Sequence, residues 1–366
     1  MNAYAKPPLQ AVSRNAGIDA LRASVILLVV FHHAAITYGA EGGWFYKEIA
    51  PSSAPSSFIL MLFCSYNQAF FMGLFFLIAG SLTPGAIARH GAQEFLRERL
   101  LRLGAPLLVF ILALGPITVA LAETVKGYPF FAVLGWLASH AVIIPGPMWF
   151  VEALLIFSAA YGALRAAVGP ARLERARPFP SNAILAVSAL GTGAAAFLLR
   201  LRWPPGADFL GLQFGYFASY VVLFAAGCLG VKGRWLENVP TKQLWTWRWV
   251  SLAAAVAYPV VILAGRWSPA FYAFWEPLFA WGVILSLLVF FQRRFVALGP
   301  AWQKLARRAY LIYIIHPPIL VGVSLAIRAL AAPALVKFAL AGTAACALCF
   351  IAAGALLAVP AVRRVV

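Results

Sequence analysis

A permanent cation and a titratable imidazole share one face of the apolar run at 18–38, IDALRASVILLVVFHHAAITY. A helix advances about 100° per residue, so the eleven positions from Arg22 to His33 close roughly three turns and point both side chains the same way. Their levels differ by about 16 Å along the axis, too far to touch. They therefore serve two depths of one pathway. An imidazole near the outer end can take a proton from a hydroxyl, and a guanidinium near the inner end can meet a phosphate or polarise a carbonyl. Asp19, one turn before Arg22, could form a simple ion pair with it, and His32 lies off the shared face.

Three further stretches carry chemistry-bearing residues. Glu152, in MWFVEALLIF, is expected at nearly the depth of His33, where a carboxylate would orient the imidazole and stabilise its protonated form. A Glu paired to some other helix is the competing reading. The segment FLRERLLRLGAP brings Arg97, Arg99 and Arg102 together, either as ordinary topology charges or as an anion dock for a phosphorylated donor. His316, in YLIYIIHPPIL, precedes Pro317 and Pro318, which remove backbone donors, kink the helix and open carbonyls, with or without a functional use. Cys64, Cys228, Cys346 and Cys349 lie within apolar runs as packing residues, and no histidine has metal-ligand spacing, so no metal is expected.

The elements that must position these residues follow from composition. The 366 residues are 63% hydrophobic and 11% charged, with a mean hydropathy of +0.87, which excludes an ordinary soluble domain. The net charge of +18 sits in clusters between apolar runs, so it reads as membrane orientation and contact with anionic headgroups, not as nucleic-acid binding. The first run is too long for a cleavable signal and stays as a helix. Runs of spanning length fall at 18–38, 58–83, 103–122, 148–165, 182–200, 209–231, 249–265, 273–291, 309–331 and 336–359. The expected fold is thus an all-α integral membrane protein of about ten transmembrane helices, forming a single domain over 1–366 with no appended soluble domain. Ten spans with the N-terminus inside put 21 of the 29 basic residues on the inner side, Lys6 and Arg14 among them, and leave both termini cytoplasmic. The shorter run at 130–144 fits that count as a re-entrant or interfacial helix on the outer face.

The ordered set IDALRASVILLVVFHH, FFMGLFFLIAGSLTP, FLRERLLRLGAPLLV, MWFVEALLIFSAAYGALR and YLIYIIHPPILV resembles the acyltransferase 3 family of bacterial membrane acyltransferases, most closely its glucan-modifying succinyltransferase-like branch. The resemblance spans nearly the whole chain. It implies a membrane domain of roughly ten helices in the bacterial inner membrane that moves an acyl group, acetyl or succinyl, from cytoplasmic acyl-CoA to a hydroxyl of a cell-envelope glycan. It places the family's Arg, ten residues, His pattern on Arg22 and His33, and its Arg-x-x-Arg element on Arg99 and Arg102. The chain departs from the family in the His32-His33 doublet and in Ala79, where many members have Ser.

On that reading acyl-CoA docks on the inner basic cluster, its thioester rises beside Arg22, and His33 deprotonates the acceptor, helped by Glu152. No cofactor is bound permanently. A transporter or flippase for a lipid-linked sugar is the alternative, with intramembrane Arg, Glu and His lining a translocation route. A membrane sensor in which His33 titrates without catalysis is a third. In the outer loops Trp44, Phe45, Tyr46, Trp267, Tyr272 and Trp275 read as an interfacial aromatic belt or as faces for a glycan.

Overall fold

The structure, a computed structural model, describes residues 15–365. Nine helices among them are long and apolar enough to cross a membrane: α1 Ala16–Thr37, α2 Pro55–His90, α3 Ala92–Lys126, α5 Gly146–Val168, α6 Asn182–Arg202, α8 Thr241–Leu263, α9 Pro269–Arg294, α10 Pro300–Ala326 and α11 Ala334–Leu356. Two shorter apolar helices complete the set, α4 Phe130–Ser139 and α7 Phe214–Gly230. No β-strand occurs among the described residues. The inner placement expected for Lys6 and Arg14 lies outside them.

The sixth expected run, 209–231, yields the shorter α7. Its first residues are taken by a turn in which Phe209 and Leu212 exchange backbone hydrogen bonds, with Leu210 and Gly211 at positive φ and Asp208 accepting from the Gly211 N–H. The helix that remains packs closely on α2. Phe76 stacks on Tyr220, and further along both helices Gly80 meets Phe224 and Gly227 meets Leu77, so α2 and α7 run parallel. That direction requires the chain to return between α6 and α8. The close approach depends on the two glycines: a Cβ on either would stand 2.2 Å from a carbonyl oxygen of the other helix. Small residues are what allow helices to associate in lipid, where burial from water contributes nothing.

At 130–144 the structure has only the ten-residue α4, about 15 Å long and too short to span. It packs along the end of α3 with most of its surface exposed.

Helix α1 is the centre of the bundle. It packs against α2, α9, α10 and α11, with Gly17 against the backbone of Gln292 at one end and Phe31 against Gly342 near the other. The helix that carries charge is thus wrapped by four others and shielded from lipid.

Prolines inside the helices have a recurrent use. Proline lacks the N–H that would bond to the carbonyl four residues back, so that carbonyl is left free. Pro259 frees Ala255, whose oxygen accepts from the Tyr66 hydroxyl at 2.7 Å. Pro106 frees Arg102, whose oxygen accepts from the Tyr310 hydroxyl at 3.2 Å. Pro317 frees Tyr313, with consequences for the site described next.

Candidate active site

His33 lies one turn before the end of α1, and its ring meets His316 of α10. His33 Nδ1 and His316 Nε2 are 3.1 Å apart, with the rings 5.1 Å apart and 17° from parallel. Trp44, from the loop after α1, stacks on one face of His33, with centroids at 4.1 Å and planes 14° apart, and its ring also lies parallel to that of His316 at 5.8 Å. Its indole Nε1–H is buried without a partner among the described residues.

The tautomers of the two histidines follow from the backbone. His316 Nδ1 is 2.6 Å from the Tyr313 carbonyl, which can only accept, so this nitrogen carries the proton. In the neutral ring Nε2 is then an acceptor, and the bond between the rings requires Nδ1–H on His33. His33 Nε2 is left with a free lone pair. The carbonyl that starts this chain is available because residue 317 is proline. The same tyrosine anchors α10 to the first turn of α5, since its hydroxyl donates to the Pro147 carbonyl.

The remaining expected residues fall in three places. Arg22 is paired with Asp19 at 3.3 Å, both side chains partly exposed, at the opposite end of α1 from His33. Arg99 and Arg102 lie where the start of α3 widens into a π-helical turn, Leu100–Gly104. Tyr310 holds this turn to α10 through its bond to the Arg102 carbonyl, and Arg99 is within electrostatic reach of Arg102 and Tyr310. Arg97 is exposed and pairs with Glu94 at 3.4 Å. Tyr310, Tyr313 and His316 follow one another at three-residue spacing on α10, so Tyr310, which touches the arginine-bearing turn, and His316 are about 9 Å apart along that axis.

Glu152 forms no hydrogen bond or ion pair with a described residue; the side chain that meets the His33 ring is His316. His32 points toward α2, its ring 4.9 Å from Phe71 and its Nδ1 without a partner among the described residues. Its carbonyl accepts from the Cys64 thiol.

A second buried polar group escaped the sequence reading. Arg200 of α6 is buried and forms an ion pair with Glu276 of α9. The guanidinium carbon lies 5.0 Å from the ring centroids of both Tyr216 and Tyr272, and Arg200 Nε donates to the Gly215 carbonyl at 2.9 Å. A lone acid in the apolar run PAFYAFWEPLF was the available signal, since hydrocarbon admits such a group only with a partner. Tyr272 and Trp275 are likewise buried here, not in an interfacial belt, with Trp275 Nε1 donating to the Ala254 carbonyl at 2.8 Å.

The comparison with known families agrees with this architecture. The family model described as an acyltransferase domain, acyltransferase 3, matches residues 15–354, which include every helix that builds the site. The chain belongs to the acyltransferase 3 family. Neither a curated protein nor a solved structure matches it significantly. The histidine pair therefore lies within the matched domain of a membrane acyltransferase, between its first helix and α10.

Proposed function

We propose that this acyltransferase transfers an acyl group, acetyl or succinyl, from acyl-CoA to a hydroxyl of a cell-envelope glycan in the bacterial inner membrane, with His33 as general base. The observation that carries the reading is the Tyr313 carbonyl, His316, His33 relay, which leaves His33 Nε2 as a fixed proton acceptor. The acceptor hydroxyl gives its proton to His33 Nε2 as its oxygen bonds to the thioester carbonyl carbon. The carbon–sulfur bond then breaks, and the leaving thiolate takes the proton back from His33. While His33 is cationic, His316 Nε2 accepts a charge-assisted hydrogen bond from its Nδ1–H. His316 acts as a positioning residue. The unpartnered indole N–H of Trp44 is suited to the negative charge that develops on the carbonyl oxygen.

Arg99 and Arg102 are assigned to the phosphates of the donor, with Arg97 and the Arg22–Asp19 pair at the mouth of its route. The test is His33→Ala in purified protein, read as thiol release from acetyl-CoA and succinyl-CoA with envelope glycan present. Transfer should vanish while the melting temperature holds. Near-normal turnover in that variant would end the proposal.

A further inference from the structure

On the far side of α2 from the histidine pair, the chain encloses an apolar groove of about 290 Å³ between α6 and α7. The two helices touch at one end, where Ala196 and Ala218 pack with Ala273 of α9. Toward the other end they separate. Leu77 of α2 and Trp281, Leu285 and Leu288 of α9 floor the gap, with Ile184, Ser188 and Ala226 on its walls. Nothing from α1 or α10 lines it, so the groove is separate from the acyl-transfer site.

The open end is basic. Trp235 and Phe179 line its rim, and Trp235 Nε1 donates to the Arg177 carbonyl at 3.0 Å. Gly233 lies so close to the same carbonyl that a Cβ there would stand 2.1 Å from it, and the Gln292 amide of α9 donates to the Leu236 carbonyl. These contacts fix the two rim segments to one another and to the floor helix. Arg175, Arg177, Lys232 and Arg234 project from the rim, all exposed, with Arg293 and Arg294 one to two turns beyond Leu288. The acids nearby are Glu237, which is exposed, and Glu174, which Arg165 already holds at 2.5 Å. An apolar slot ending in a tryptophan and a surplus of guanidinium groups matches a hydrocarbon chain joined to an anionic headgroup.

We propose that the groove holds one acyl chain of an anionic phospholipid whose phosphate rests on Arg177, Lys232 and Arg234. The site is independent of the reading of His33, and its test does not use turnover. The protein is purified in detergent, given dioleoyl phosphatidylglycerol or dioleoyl phosphatidylcholine, and examined by native mass spectrometry and thermal melting. Phosphatidylglycerol should bind at least tenfold more tightly than phosphatidylcholine and raise the melting temperature. The double variant Arg177→Glu with Arg234→Glu, confined to exposed side chains, should remove that preference. Ser188→Leu and, separately, Ala226→Leu should each fill the groove and reduce the tightly held lipid by one equivalent, so a folding failure in one leaves the other to decide. Equal binding of the two lipids, a preference that survives charge reversal, or an unchanged lipid count in a folded groove-filled variant would overturn the proposal.

Discussion

Replacing Pro317 by alanine should make the enzyme more stable and slower. The new backbone N–H would point at the Tyr313 carbonyl, the acceptor that now holds His316 Nδ1–H at 2.6 Å. A buried hydrogen bond of this kind is worth about 1 kcal/mol net. Competition for the oxygen would therefore relax the tautomer lock by about that amount, and His33 Nδ1–H would lose its fixed acceptor in the same proportion. One kcal/mol corresponds to about a fivefold loss of turnover. Removing a proline from a helix interior is worth up to about 3 kcal/mol in the opposite direction, less here because the freed carbonyl already has a partner. Turnover is read as thiol release from acyl-CoA by protein in nanodiscs, and stability by thermal melting. The expectation is a kcat about fivefold lower, an unchanged KM and a higher Tm. Pro318→Ala is the internal control: it restores a donor for the Ile314 carbonyl, which no described side chain uses, so it should stabilise without slowing. A Pro317→Ala protein that melts higher and turns over at the normal rate would refute the relay.

Other substitutions separate the remaining roles. Trp44→Phe keeps a ring over His33 and loses the indole N–H, so kcat should fall about 100-fold with KM little changed if that donor meets the developing oxyanion. His32→Ala, which removes a ring packed on Phe71 and not part of the relay, should cost stability and leave kcat within severalfold of normal, as paired melting and turnover assays would show. Glu276→Gln leaves the Arg200 guanidinium buried without its counter-charge and should destabilise the protein by about 3 to 5 kcal/mol, whereas Arg200→Met with Glu276→Leu should be better tolerated, both judged by denaturation in detergent.

Much of this protein could be read one segment at a time, because run length and hydropathy are local properties. The membrane-length helices, the short element at 130–144 and the placement of His33 near one end of α1 with Arg22 near the other all follow from residues within one window of chain. The start of α7 did not, because a turn at Phe209–Leu212 consumes apolar residues that composition alone assigns to a helix. Pro317 likewise announces a free carbonyl in the sequence without saying what will use it.

Partnership is what only the tertiary structure decided. His33 and His316 are separated by 283 residues, and Arg200 and Glu276 by 76, so nothing in a local pattern pairs them. The residue that meets the His33 ring is His316, brought there by the packing of α10 against α1. The sequence determined which groups hydrocarbon would force to find a partner, through the cost of leaving them alone there. The crossing of the helices, fixed by glycine-sized contacts and proline-freed carbonyls, determined which partner each one found.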